Sequence, residues 1–163
     1  MRLNAAAQDL LQLCLIHAVT VATAESCTGG MVAAALTSIP GSSKVVERGF
    51  VTYSNESKIE MLGVPAATIA AHGAVSEPVA RAMAEGAILH SRAIAALSIT
   101  GIAGPDGGTP EKPVGTVHIA AAMQGATTLH EKHHFSGDRD SVRLQSSLAA
   151  IELLMQRICA FRN

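Results

Sequence analysis

Tryptophan is absent from this sequence of 163 residues, and aromatic residues make up only 2% of it. No stretch approaches the ~20 consecutive apolar residues that a membrane span requires. Lysine and arginine never form a run of more than two, and the net charge is −1. Because a nucleic-acid surface needs clustered basic residues, we expect neither nucleic acid nor a membrane as partner.

The sequence has only three cysteines, Cys14, Cys27 and Cys159. They lie far apart in the chain and form no C-x-x-C motif. An odd number of widely spaced cysteines excludes a disulfide framework and a cysteine zinc site. We therefore expect a reduced, cytoplasmic protein. A chain of this length with 48% hydrophobic residues predicts one globular domain over residues 1–163.

The N-terminus bears a faint likeness to a signal peptide, in Arg2, the apolar stretch 10–16 and the tripeptide Ala22-Thr23-Ala24. Four polar residues interrupt that region: Gln8, Asp9, Gln12 and His17. An amphipathic helix that leads into a short strand accounts for all of these residues, so we predict the helix.

Hydrophobic periodicity predicts alternating helices and strands. Helices are expected at residues 4–18, 31–38, 56–62, 77–91 and from 138 onward, and strands at 20–24, 44–53, 93–100, 114–123 and 127–135. Ser54, Ser76 and Asp138 are the predicted N-caps. This order predicts an α/β fold, a three-layer α/β/α sandwich with a mostly parallel sheet and an antiparallel hairpin. Ligands of such folds bind beyond the carboxyl ends of the strands.

Ser26 lies between a predicted strand end and a helix start with two glycines. In that position a serine is a candidate nucleophile beside backbone N–H groups that stabilise an oxyanion. Alternatively, Ser26 or Thr28 simply caps the helix. The segment matches neither G-x-S-x-G nor S-x-x-K, so a base must come from elsewhere in the chain. Cys27 is either a rival nucleophile or a small buried residue.

Lys58 is the candidate base, one short helical turn beyond the end of the second predicted strand. A lysine accepts a proton at neutral pH only if burial or nearby positive charge lowers its pKa. Tyr53 is a candidate hydrogen-bond partner of Ser26, Lys58 or substrate. The alternatives are an exposed helix lysine and a tyrosine at the edge of the core.

Residues 101–108 contain four glycines after a buried strand. Such a loop either forms an anion-binding nest or is only a crossover turn. Arg139 and Arg143, four residues apart at the start of the last helix, are candidates for a phosphate or carboxylate. Their alternative role is ion pairing on a capped helix.

His130, His133 and His134 raise the question of a metal site. An alternating strand places His133 on the face opposite to the other two, and no nearby cysteine or carboxylate completes a zinc signature. We expect no metal ion.

Taken together, several segments closely resemble the CinA C-terminal domain family, the nicotinamide-nucleotide amidohydrolases related to the competence/damage-inducible protein. These segments are Thr23-Ala24-Glu25-Ser26-Cys27-Thr28-Gly29-Gly30, Gly49-Phe50-Val51-Thr52-Tyr53-Ser54-Asn55, His72-Gly73-Ala74-Val75-Ser76, Gly101-Ile102-Ala103-Gly104-Pro105-Asp106-Gly107-Gly108 with Lys112-Pro113-Val114-Gly115-Thr116-Val117, and Ser136-Gly137-Asp138-Arg139. The resemblance covers nearly the whole chain in the family's order.

The resemblance implies metal-independent hydrolysis of nicotinamide mononucleotide to nicotinate mononucleotide and ammonia, within pyridine nucleotide salvage and without a cofactor. It implies Ser26 as nucleophile, Lys58 as catalytic lysine and Tyr53 in the pocket. Thr100 stands where some members carry serine, which keeps a hydroxyl. The remaining candidates for substrate binding are the following: Cys27, Thr28, Gly29, Gly30, Thr100, Gly101, Gly104, Gly107, Arg139 and Arg143.

Two other functions remain open from the residues alone. One is a non-catalytic nucleotide- or phosphate-binding or interaction module, in which Ser26 is only a cap. The other is a thiol hydrolase that uses Cys27. Alanine-rich helices with exposed Met and Leu make a homodimer the default expectation.

Overall fold

The fold is described from a computed structural model, which covers residues 2–162. Its helices are α1 (Arg2–His17), α2 (Met31–Thr37), α3 (Asn55–Leu62), α4 (Ala66–His72), α5 (Glu77–Leu89) and α6 (Arg139–Arg162), with a 3-10 turn at Ser42–Lys44. Its strands are β1 (Val21–Glu25), β2 (Val46–Val51), β3 (Ala95–Gly101), β4 (Thr116–Met123) and β5 (Leu129–His134).

The strands form one five-stranded sheet in the order β2-β1-β3-β4-β5. Strand β1 pairs in parallel with β2 and β3, whereas β4 is antiparallel to both β3 and β5. Four of the five strands therefore point in one direction, and the predicted hairpin is β4–β5. The α/β class and the mostly parallel sheet are confirmed. The antiparallel pairing of β3 with β4 was not predicted.

Helices cover both faces of the sheet, which confirms the three layers. Helices α1, α2 and α6 pack together on one face, where alternate residues of β3 such as Leu97 and Ile99 enter the larger core. Helices α3, α4 and α5 cover the other face. There the sheet presents small residues, and the Ser98 hydroxyl donates to the Ala80 carbonyl of α5 at 2.6 Å. These small side chains let α5 approach the sheet closely.

Two local expectations were incomplete. Helix α4 was not predicted, because its seven residues follow Pro65 without a side-chain cap. A helix this short depends on packing, and Ile69 supplies it by contributing to the smaller core. Ser76 is the N-cap residue of α5 as predicted, but its hydroxyl donates to the Gly73 carbonyl and makes no capping bond to the helix. Ser54 and Asp138 do cap, accepting from the amides of Ser57 and Ser141.

The topology brings three strand ends together around Ser26. From β1 the chain passes to β2 on one side and then to β3 on the other, so the strand order reverses at β1. A reversal of this kind opens a crevice at the carboxyl ends of the strands. The Ser26 amide donates to the Ile99 carbonyl of β3 at 3.0 Å, which anchors the residue at that crevice. Within residues 2–162, no helix combines the length and apolarity needed to cross a membrane.

Candidate active site

Ser26 and Lys58 lie in direct contact although 32 residues separate them in the chain. Lys58 Nζ donates to Ser26 Oγ at 3.0 Å and to the Thr52 carbonyl at 2.8 Å. The second bond holds the amine in place from the side of β2. The hydroxyl and the amine thus have the spacing that a nucleophile and its base require.

Lys58 is buried, with 1% of its surface exposed. Lys58 is the fourth residue of α3, the helix that follows β2. The first turn of this helix brings the Lys58 side chain back to Ser26, at the end of β1. Loss of solvent lowers the pKa of the Lys58 amine, because burial penalises the charged form. The expected alternative of an exposed helix lysine is therefore wrong.

Neither Ser26 nor Thr28 caps α2. The N-cap is Gly30, whose φ of 96° lies in the left-handed region that favours glycine. The first-turn amides of Val32 and Ala33 donate instead to the two carboxylate oxygens of Glu25, each at 3.0 Å. The buried Glu25 carboxylate at the end of β1 thus accepts the hydrogen bonds of the first-turn amides of α2. The Ser26 hydroxyl is not needed as a cap, and it contacts Lys58.

Cys27 is an unsuitable nucleophile in this environment. Its side chain is buried, and desolvation raises the pKa of the thiol to about 11. Since the thiolate is the reactive form, a thiol with this pKa stays protonated at neutral pH. The geometry favours the serine.

Ser26 opens into a cavity of about 290 Å³ at the carboxyl ends of β1, β2 and β3. Most of the predicted site residues line it: Ser26, Cys27, Tyr53, Lys58, Thr100, Gly101, Gly104, Gly107 and Arg139. Four predicted residues do not line it: Thr28, Gly29, Gly30 and Arg143. The structure therefore brings one predicted arginine into the cavity and leaves the other outside it.

Arg139 spans two walls of the cavity. Its guanidinium donates to the Gly104 carbonyl at 2.8 Å and to the Tyr53 hydroxyl at 3.0 Å. Tyr53 therefore contacts Arg139 and not the Ser26–Lys58 pair, and its side chain stays exposed at the cavity rim. On the opposite side, the Thr100 hydroxyl donates to the Ala74 carbonyl at 2.8 Å, which ties β3 to the loop before α5.

Six lining residues were not named individually among the candidates, although three of them, Ile102, Ala103 and Asp106, belong to the glycine-rich loop that was expected to bind substrate; the others are Asn55, Ala74 and Val75. Asn55 and Asp106 carry polar side chains within segments already singled out, so their chemistry was a usable signal. Ala74 and Val75 belong to the segment 72–76 that carries part of the family resemblance, but their side chains are apolar, and the packing of that loop against Thr100 places them in the cavity.

The histidines of β5 do not form a metal centre. His130 contacts His118 of β4, with 2.9 Å between His130 Nε2 and His118 Nδ1. His133 Nε2 instead donates to the Glu131 carboxylate at 2.7 Å, and its ring stacks on Phe135. Within residues 2–162, no three His, Cys, Asp or Glu side chains are grouped so as to hold a metal ion.

Comparison with known proteins identifies the family to which this chain belongs. The sequence profile of the CinA C-terminal domain matches residues 3–158. The chain belongs to the CinA C-terminal domain family. The structure agrees: the competence/damage inducible protein CihA from Agrobacterium tumefaciens superposes with a TM-score of 0.93 and 44% identity, covering 96% of this chain and 95% of that one. A CinA superfamily protein from Escherichia coli gives a TM-score of 0.90 at 35% identity, covering 94% and 89%.

Curated relatives of two lengths match the chain. A CinA-like protein of Anaeromyxobacter sp. is 58% identical over 134 residues, which are 82% of this chain but 32% of that protein. A relative from Symbiobacterium thermophilum is likewise matched over 35% of its length. The chain thus spans about a third of these relatives. The nicotinamide-nucleotide amidohydrolase PncC of Escherichia coli (strain K12) is 57% identical over 138 residues, covering 85% of this chain and 84% of that enzyme.

Proposed function

We propose that this protein is a nicotinamide-nucleotide amidohydrolase that converts nicotinamide mononucleotide and water to nicotinate mononucleotide and ammonia. The observation that carries the proposal is the buried contact of 3.0 Å between Lys58 Nζ and Ser26 Oγ at the base of an open cavity. Its support from comparison is the 57% identity to an enzyme named for that reaction.

The first half of the reaction forms an acyl-serine. Neutral Lys58 accepts the proton of the Ser26 hydroxyl, and Ser26 Oγ attacks the carboxamide carbon. The carbonyl π electrons move onto oxygen, and backbone N–H groups beside Ser26 stabilise this oxyanion. When the oxyanion collapses, the C–N bond breaks and Lys58 returns its proton to the departing ammonia.

The second half restores the enzyme. Lys58, neutral again, accepts a proton from water, whose oxygen attacks the acyl carbon. Collapse of this second oxyanion breaks the bond to Ser26 Oγ, which takes the proton back from Lys58. The products are the carboxylate and a free serine. The lowering of the Lys58 pKa by burial favours both steps, since the amine must be unprotonated before each attack.

The cavity offers separate places for the two ends of the substrate. The carboxamide belongs at Ser26, and the phosphate belongs at Arg139, whose guanidinium stands at the rim beside Gly104 and Tyr53. Arginine suits this task because its charge is permanent and its donors are spread over a planar fork. Thr100, Gly101 and Gly107 line the space between.

The test is ammonia release from nicotinamide mononucleotide, with nicotinate mononucleotide quantified by chromatography. We expect turnover by the unaltered protein and a loss of at least about 10³-fold in kcat for Ser26→Ala, since the nucleophile is removed. Ser43→Ala is the matched control, because Ser43 is exposed within the 3-10 turn and does not line the cavity.

Three outcomes would contradict the proposal. Binding of nicotinamide mononucleotide without turnover would indicate a binding module. Full activity of Ser26→Ala would remove the serine from the mechanism. Loss of activity in Cys27→Ala together with sensitivity to iodoacetamide would indicate a thiol hydrolase.

A further inference from the structure

Arg143 holds the turn that follows the nucleophile, from a position outside the cavity. It lies in the second turn of α6, where its Nε donates to the Cys27 carbonyl at 3.2 Å and its Nη2 donates to the Thr28 carbonyl at 3.1 Å. Its side chain is 27% exposed, and Asp140 lies 3.6 Å from its Nη1. One guanidinium therefore spans two consecutive peptide groups directly after Ser26.

The rest of this turn is fixed by other contacts. The Ser26 amide donates to Ile99, and the Gly29 amide donates back to the Ser26 carbonyl at 3.0 Å. The Glu25 carboxylate fixes the start of α2 through Val32 and Ala33. Between these anchors lie the peptide groups whose carbonyls belong to Cys27 and Thr28, and Arg143 contacts both. The Thr28 carbonyl also accepts from the Met31 amide at 3.1 Å, so the Cys27 carbonyl depends most on the guanidinium.

Peptide geometry links those carbonyls to the oxyanion. In a planar trans peptide, the C=O of one residue and the N–H of the next point in opposite directions. A Cys27 carbonyl directed at Arg143 therefore turns the Thr28 N–H away from α6. Among the described residues, the N–H groups of Cys27 and Thr28 donate to no backbone carbonyl. The Thr28 N–H, which shares a peptide group with the Cys27 carbonyl, is therefore the donor that Arg143 orients, two residues after Ser26.

We infer that Arg143 is a positioning residue, whose guanidinium fixes the peptide plane between Cys27 and Thr28 and so aligns the Thr28 N–H to stabilise the oxyanion. This inference rests on the proposed function. It assigns the two arginines of α6 different tasks: Arg139 contacts the substrate's phosphate, whereas Arg143 never touches the substrate. The guanidinium fork is essential for this task, because one side chain must donate to two carbonyls at once.

The experiment separates transition-state stabilisation from substrate binding. In Arg143→Gln we expect kcat for nicotinamide mononucleotide to fall roughly 10- to 100-fold, with KM changed less than about threefold. The reason is that a misaligned N–H stabilises the oxyanion less but leaves the binding of the substrate unchanged. The affinity for the product, nicotinate mononucleotide, should stay within about twofold by calorimetry. Arg143→Lys keeps the charge and the packing of the stem but not the fork, so kcat should fall there as well.

Arg157→Gln is the matched control. Arg157 lies on the same helix and donates to a backbone carbonyl, that of Thr127, at 2.7 Å, far from Ser26. Its loss should leave kcat unchanged. Thermal unfolding of all variants establishes that they fold, and Arg143→Lys remains informative if Arg143→Gln does not.

Two results would overturn the inference. A raised KM and weakened product binding with unchanged kcat would make Arg143 a phosphate ligand. Normal kcat in both Arg143 variants would show that the turn holds its shape without the guanidinium. Failure of the proposed function is distinct, because the unaltered protein would then release no ammonia from nicotinamide mononucleotide.

Discussion

Two buried nitrogen bases lie on the side of the sheet covered by α3, α4 and α5. Lys58 contacts Ser26, and His118 contacts His130, whose other ring nitrogen lies 3.5 Å from the Glu77 carboxylate. Burial lowers the pKa of both bases, that of His118 to about 4. Within the described residues, however, only the lysine reaches the cavity of about 290 Å³, since neither histidine lines it.

The difference shows that a perturbed pKa does not by itself make a site. At the parallel half of the sheet, the strand order reverses and leaves a crevice in which a base meets a hydroxyl. At the antiparallel half, β4 and β5 pair directly as a hairpin, and Glu77, which forms an ion pair with Arg81, lies 3.5 Å from His130. The same desolvation thus acts beside an open cavity in one place and in packed surroundings in the other, and the proposed function uses only the first.

The largest expected effect is at Lys58. Lys58→Met should lower kcat by about 10³-fold, because no other group accepts the Ser26 proton. In the unaltered protein, kcat/KM should rise with pH through the lowered pKa of Lys58, since only the neutral amine is a base. The variant should lose that rise. Rate measurements from pH 6 to pH 10 test this.

Lys44→Met serves as the control for Lys58, because Lys44 is exposed in the 3-10 turn. A retained pH dependence in Lys58→Met would assign the titration to another group and would remove Lys58 as the base.

The next effect concerns stability at the His118 pair. The pKa of His118 is about 4 in the folded protein, against an ordinary value of 6.5. Desolvation is the main cause, and His130, Lys132 and Lys112 add to it, while Glu77 opposes it. Above pH 6.5 the group is neutral in both states. As the pH falls from 6.5 to 4, only the unfolded chain takes up the proton, so stability falls.

The free energy of unfolding should therefore drop by up to about 3 kcal/mol over this pH window through His118 alone. Urea unfolding at pH 7.5 and pH 4.5 measures the drop, and His118→Gln should make it smaller. His134→Gln, at an exposed position of β5, is the control. An equal pH dependence in His118→Gln and the unaltered protein would contradict the assignment.

The smallest effect is expected at Tyr53. Its hydroxyl accepts one hydrogen bond from Arg139, which keeps its second bond to Gly104. Because this contact is exposed, Tyr53→Phe should raise KM for nicotinamide mononucleotide only about two- to fivefold, with kcat nearly unchanged. A double-mutant cycle with Arg139→Gln measures the coupling. A large loss of kcat in Tyr53→Phe would instead give the hydroxyl a part in the chemistry.

Much of the fold was predictable because its signals are local. Periodic apolar residues mark α1, α5 and α6, and a continuous apolar run marks β3. Ser54 and Asp138 act as the predicted caps. Helix α4 was missed because its stability comes from packing and not from its own seven residues. The direction of β4 relative to β3 was missed because no local pattern encodes the partner of a buried strand.

By itself, the sequence determined the α/β class, the motif around Ser26 and the polar residues available to the site. Only the tertiary structure decided what these residues do. In the folded protein Lys58 is buried against Ser26, and the Glu25 carboxylate accepts hydrogen bonds from the first amides of α2. Arg139 lines the cavity, whereas Arg143 lies outside it and contacts the turn after Ser26. The physical reason is that a pKa and a hydrogen bond depend on neighbours in space, and here those neighbours lie up to 116 residues away in the chain.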